Sequence, residues 1–179
     1  SITYTHPVSG TMPYPLALRL TVQSDLGCKD SVAKDILIYE NKDYPLRNYG
    51  VFLDEDEKYM FLSESESTSG NALWFRPAGT GDAKWIKIAD GFDYDYNFVG
   101  IIDNKFYILT NEGAPNNRLV SIDPLSPGAG NWLNVIPESE HVLQSVSHIN
   151  SKLVVNYLEH ASDRMYIYSS TGEPELKIE

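Results

Sequence analysis

The sequence predicts an all-β fold, a partial β-propeller of about three four-stranded antiparallel blades preceded by a short strand segment. Three observations predict it. Short apolar strands meet tight polar turns in sequence order from Asp35 onward, as in an antiparallel meander. The same turn residues return about every 47 positions, the interval of a propeller blade. No apolar spacing of helical period matches them anywhere in that half. A β-sandwich would also show short strands, but not the long-range return of the same turn residue.

Taken in order, residues 1–34 stand apart. Leu16, Leu18, Leu20 and Val22 alternate with Ala17, Arg19 and Thr21, the pattern of a strand with one buried face, and Asp25-Leu26-Gly27 makes a turn. From Asp35 the character changes. Ile36-Leu37-Ile38-Tyr39 reads as the last strand of a preceding unit, Glu40 to Asp43 as its polar exit, and Tyr44-Pro45 as the start of a new one. Three units are expected, over 44–90, 91–137 and 138–179.

Within the units, the first two strands turn at Asp54 to Lys58, Asp103 to Lys105 and Asn150 to Lys152, where Asn and Asp tolerate left-handed backbone. The second strands are YMFLS, FYILT and LVVNY. The third are ALWFRP, RLVSIDP and RMYIYSS, with Leu73, Leu119 and Met165 recurring at about 46 residues. The fourth are WIKIAD, WLNVIP and LKIE. In the central unit the first strand is expected over Phe98 to Ile102.

Composition narrows the function classes. With 179 residues and 42% hydrophobic content the chain can build a packed core, and its 12 tyrosines favour strands. A net charge of −11 argues against nucleic acid, whose phosphates demand a basic surface, so none is expected as a partner. No apolar run approaches the roughly 20 residues of a membrane helix, so no membrane partner is expected either. A first residue Ser1 is expected to mark a processing, cloning or gene-fragment boundary. The single cysteine, Cys28, can form neither an internal disulfide nor a structural zinc site and is expected as a small apolar residue.

Candidate chemistry is sparse. A hydrolase elbow needs Gly-x-Ser-x-Gly between strand and helix; the nearest stretch, Ser67-Thr68-Ser69-Gly70, lies between two strands. His6, His141, His148 and His160 lack metal-pair spacing. Asp93 and Asp95 would share one side of an extended segment and are the one candidate cation pair, although a linker role for the Asp93 to Tyr96 run, with its tyrosines turned inward, is preferred. Ser63 to Ser69, with Glu64 and Glu66, reads as a solvated loop, and Trp74, Trp85 and Trp132 as packing between units. No catalytic, substrate-binding or metal residue is assigned, and no cofactor is expected.

Two resemblances follow from particular stretches. Tyr4-x-His6, the Gly10-Thr11-x-x-Tyr14-Pro15 stretch, the alternating strand and the Gly27-Cys28-x-Asp30 turn resemble the C-terminal half of a PKD domain, an immunoglobulin-like sandwich. That implies a periplasmic or extracellular setting and an alternative role as an adhesion or protein-interaction module. Residues 35–179 look like the propeller of prolyl oligopeptidases, on DILIYENKDYPLR, LDEDEKYMFLSESESTSGNALWFR and, above all, KWIKIADGFDYDYNFVGIIDNKFYILTNEGAPNNRLVSID. The resemblance implies a non-catalytic segment that gates the access of short proline-containing peptides to an α/β-hydrolase partner domain carrying Ser, Asp and His. The run Ser63 to Thr68 lacks the arginine that the family pattern places after a blade's second strand, so no substrate-binding residue is carried over. Open blade edges are expected to favour self-association.

Overall fold

The computed structural model describes residues 38–80 and 83–178, and the backbone of 22–23 and 29–30. It divides into compact units Ser1–Arg47 and Asn48–Glu179. Most of the PKD-like stretch, with Cys28 and His6, lies outside the described residues. Within it a two-residue antiparallel pair, β1 (Val22–Gln23) with β2 (Lys29–Asp30), is seen. Of the strand expected over Ile36 to Tyr39, only Ile38 and Tyr39 are described, and neither is in a strand.

The second unit holds three four-stranded sheets, each an antiparallel meander in sequence order. Blade 1 comprises β3 (Asn48–Leu53), β4 (Tyr59–Ser65), β5 (Ala72–Pro77) and β6 (Ile86–Ala89). Blade 2 comprises β7 (Tyr96–Ile102), β8 (Lys105–Thr110), β9 (Arg118–Ile122) and β10 (Leu133–Ile136). Blade 3 comprises β11 (Val142–Ile149), β12 (Lys152–Glu159), β13 (Ser162–Ser169) and β14 (Pro174–Ile178). The fold is all-β and propeller-like, with one 3-10 turn at Ala129–Asn131 among the described residues. That turn starts β10 at Leu133, leaving Trp132 just ahead of the strand; β6 likewise begins one residue after Trp85.

Turn chemistry sets the strand pairing. Asp103 and Asn104 (φ 50 and 61) and Asn150 and Ser151 (φ 47 and 63) form two-residue turns with both centres left-handed, whose twist matches the flanking strands. Blade 1 uses a longer turn. There the buried Asp54 carboxylate accepts the backbone N–H groups of Asp56 and Tyr59, and Lys58 pairs outward with Asp56 at 2.8 Å. Aspartate suits this place because a short carboxylate can satisfy two turn donors at once.

The core lies between the sheets. β8 reads Phe-Tyr-Ile-Leu after Lys105, and strand alternation sends Phe106 and Ile108 to one side, Tyr107 and Leu109 to the other. Phe106 and Ile108 join Phe61, Leu73, Phe75 and Ile88 of blade 1. Tyr107 and Leu109 join Leu143, Leu153, Val155 and Tyr157 of blade 3. Four phenylalanines, Phe61, Phe75, Phe98 and Phe106, interlock in the first interface with ring centroids 4.2 to 6.4 Å apart. Edge-on and tilted arrangements of this kind add to area burial through the ring quadrupoles. In the second interface the Tyr107 hydroxyl donates to the Ser170 carbonyl at 2.9 Å. Gly172 (φ +89) lies so close to blade 2 that a Cβ there would meet the Val135 carbonyl oxygen at 1.9 Å.

Candidate functional site

In an antiparallel meander the linker into a blade and the loop joining its second and third strands share one end of the sheet. At that end, between blades 1 and 2, lies a cleft of about 400 Å³. One wall is Ser63 and Ser65 of β4 with the loop Ser67 to Asn71; the other is Asp95 to Phe98 at the start of β7; Phe52 of β3 and Leu73 complete it.

The loop is fixed by bonds that cross from one blade to the next. The Gly70 N–H donates to Asp95 Oδ1 at 2.8 Å, and the Asn71 N–H to the Tyr94 carbonyl at 2.9 Å. Gly70 has φ +76, and a Cβ on it would lie 1.8 Å from the Phe92 carbonyl oxygen, so only glycine allows this approach. The Asn71 side chain then imitates a strand. Its Oδ1 accepts the Tyr96 N–H at 2.8 Å while its Nδ2 donates to the Tyr96 carbonyl at 3.1 Å and to Ser63 Oγ at 3.2 Å. The next junction repeats the device. Asn117 Nδ2 donates to the Leu143 carbonyl at 2.8 Å, and the Leu143 N–H donates to the Asn116 carbonyl at 2.9 Å. Asn117 (φ 68) sits in left-handed backbone, which asparagine tolerates.

The cleft thus joins two chemistries. Phe52 and Phe98 (centroids 5.7 Å apart) offer an apolar wall. Ser65, Ser67 and Thr68 also line it, and Asn97 borders it with its side chain on the face of Leu109, toward blade 3. The Asp95 carboxylate closes one end, also accepting from Asn111 Nδ2 at 3.3 Å. Among the described residues lining the cleft none is a lysine, arginine or histidine. Hydroxyls in such a setting act as hydrogen-bond donors and acceptors. Ser67 to Gly70 is a loop between two strands, not the strand-to-helix elbow a nucleophilic serine needs.

The other candidates are placed as follows. Asp93 and Asp95 do not share one face of an extended segment. Asp93 lies exposed in a bend and Asp95 is taken up by the blade junction. Tyr96 is buried, its hydroxyl donating to Glu112 at 3.2 Å, and burial with that carboxylate alongside pushes the phenol above its usual range; Tyr94 is exposed. Of the tryptophans, Trp132 packs between blades 1 and 2, edge-on to Tyr96 at 6.0 Å. Trp74 lies on the opposite face from Phe75, under Lys87, and Trp85 lies under Arg76 at 4.7 Å. Neither of these belongs to the clusters between the described blades. His148 lies against Gly100. His141 and His160, unrelated by sequence spacing, come together with ring centroids 5.8 Å apart, because the linker into blade 3 meets its β12–β13 turn. Among the described residues no group of three or more His, Cys, Asp or Glu is arranged to hold a metal ion.

Comparison with known proteins bears on this architecture. Residues 22–179 match the family model described as prolyl oligopeptidase, N-terminal beta-propeller domain; the match begins within the segment 1–34. The chain is similar to prolyl oligopeptidase A of Amanita bisporigera, 31% identical over 155 residues, covering 83% of this chain and 20% of that protein. It is similar to a prolyl endopeptidase of Elizabethkingia meningoseptica, 29% identical over 148 residues, covering 83% and 20%. Among solved structures it resembles prolyl oligopeptidase B from Galerina marginata bound to a 35mer hydrolysis and macrocyclization substrate. That likeness has a TM-score of 0.76 at 25% identity and covers 90% of this chain and 25% of the other. The chain spans about one fifth of the length of the curated relatives it matches.

Proposed function

The chain belongs to the prolyl oligopeptidase N-terminal β-propeller family, and from that premise we propose that it is a non-catalytic wall of a serine peptidase, limiting entry to short proline-containing peptides. The bond-breaking Ser, Asp and His would belong to an α/β-hydrolase partner domain. The role of these blades is steric.

The observation that carries the reading is the packing of blade 2. Its second strand is buried on both sides, by blade 1 and by blade 3, so three sheets form one continuous close-packed body. Interiors at that density do not part for a folded protein. Latches at both junctions, Asn71 to Tyr96 and Asn117 to Leu143, hold the sheets in register. A wall of this kind filters by size without making any bond to the substrate.

The reading is tested with the full-length gene product that contains this segment. It should cleave a short chromogenic Gly-Pro peptide, and should cleave the same sequence far more slowly when it sits in a surface loop of a folded protein. Equal rates on both substrates, or no peptidase activity at all, would overturn it. The 179-residue chain alone should leave the Gly-Pro substrate intact.

A further inference from the structure

We infer that the cleft between blades 1 and 2 is a peptide subsite that selects by charge, accepting neutral or cationic segments and rejecting acidic ones. This rests on the reading above, that peptides pass along these blades.

Three observations carry it. The first is shape and polarity. The cleft is lined by the rings of Phe52 and Phe98 and by the hydroxyl-bearing Ser65, Ser67 and Thr68. An extended peptide matches both, with a flat apolar side chain such as a proline ring on the phenylalanines and its backbone N–H and C=O groups on the hydroxyls.

The second is rigidity. The hydroxyl-bearing loop is tied at Gly70 and Asn71 to the next blade, with bonds of 2.8 to 3.1 Å. A site whose polar groups are already held in place spends little conformational entropy on binding.

The third is charge. The one ionisable carboxylate among the described lining residues is Asp95, and no lysine, arginine or histidine stands among them to offset it. The chain as a whole carries −11, so the surrounding field has the same sign. A glutamate entering the cleft would give up water and meet a carboxylate and hydroxyls, with no cation to repay the loss. A lysine meets a favourable field and keeps its head in water.

The test is direct binding to the full chain. Three dansyl-labelled peptides share an apolar-Pro core and differ at one neighbouring position, Lys, Gln or Glu. Fluorescence anisotropy should rank them Lys, then Gln, then Glu, with about a threefold to fivefold gap between the ends, the range for a partly exposed charge pair. The gap should shrink in ~0.5 M salt, where screening acts within about 4 Å. Ser67→Lys adds a cation at an exposed lining position and leaves the junction bonds of Gly70 and Asn71 in place, so it should level or reverse the ranking. Far-UV circular dichroism of the variant checks that the sheets persist, and Ser67→Gln, neutral and long, should keep the wild-type order. Equal affinities for the Lys and Glu peptides, an order insensitive to Ser67→Lys, or no binding of any peptide would overturn the subsite. Those results would leave the size-filter reading to its own test, since exclusion of folded substrates needs no affinity for peptides in this cleft.

Discussion

Blades 2 and 3 carry the same ladder of strands and differ in what they touch. In blade 2 every residue from Phe106 to Thr110 is buried, because blade 1 covers one face and blade 3 the other. In blade 3 the face toward blade 2 is buried through Leu143, Leu153 and Val155, while Met165, Leu176 and Ile178 are 44%, 58% and 40% exposed. β14 is exposed along its whole length. The strands of the two blades are comparably apolar, so burial here is set by the neighbour and not by the strand. Stability in such an array is a sum of repeat and nearest-neighbour terms, and the central blade receives two of the interface terms.

The sharpest way to break the comparison is a matched pair of truncations. Phe106→Ala removes a fully buried ring that touches Tyr59, Phe61, Phe75 and Phe98, and should cost about 3–5 kcal/mol. Met165→Ala, on the open face, should cost under about 1 kcal/mol. Urea denaturation of both variants measures the difference. Equal losses would mean that the two blades are equally enclosed.

A second test concerns the latches. Asn71→Ala deletes the side chain that answers both backbone groups of Tyr96, and should cost about 1–3 kcal/mol, because a buried donor and acceptor lose their partners. Asn71→Asp keeps the acceptor for the Tyr96 N–H but offers the Tyr96 carbonyl no donor, so it should fall between alanine and the native residue. Hydrogen exchange at the Tyr96 amide reads the same event locally. A loss spread evenly over blade 3 as well would refute a junction-specific role.

Much of this architecture was legible in the sequence, and the limits of that reading have physical causes. The turns at Asp103-Asn104 and Asn150-Ser151 announce themselves because left-handed backbone demands a few residue types. The third strand of blade 1 runs over Ala72–Pro77, where the repeat places it. The latch was missed because an amide side chain shows no preference for a partner 25 residues away. The repeat itself carried the signal, since Asn71 and Asn117 stand two positions before Leu73 and Leu119. The turn at His160 and Ala161 (φ 48 and 61) was also hidden, because alanine does not favour left-handed backbone and His160 alone, though of a type enriched there, does not mark a turn. Asp95 looked like half of a cation site until Gly70 and Asn111 supplied its partners.

Alkaline pH offers a smaller, graded test that treats the two interfaces alike. Tyr96 at the first and Tyr157 at the second are both buried, and burial pushes both hydroxyls above the usual tyrosine range, as it does for Tyr107. The folded state therefore holds these protons after the unfolded chain has released them. Their contribution is fully present below the unfolded value near pH ~10 and is lost as pH rises beyond it, at up to about 1.4 kcal/mol per pH unit for each tyrosine. Tyr157→Phe should flatten the decline by one tyrosine's share, measured as midpoint denaturant concentration from pH 9 to 11. An unchanged slope would mean that Tyr157 titrates as it does in the unfolded chain.

The smallest energetic effect separates the open face from the closed one most directly. Replacing exposed Met165 by lysine should change unfolding free energy by no more than about 0.5 kcal/mol, since a side chain already in water loses little by becoming charged. Its effect on association should be larger. Met165, Leu176 and Ile178 share an apolar area beside the fully exposed strand β14, whose outer backbone groups have no described neighbour to pair with. Apolar area next to an open strand edge is the usual route to sheet-to-sheet contact, and an inserted lysine is a common device against it. Sedimentation velocity should therefore show the native chain associating with rising concentration and Met165→Lys shifted toward monomer. A lysine in the second interface, Leu153→Lys, should instead unfold the protein, because Leu153 is fully buried between blades 2 and 3. If Met165→Lys proved as destructive as Leu153→Lys, blade 3 would be covered on both faces, as blade 2 is, and the contrast between the two blades would fall.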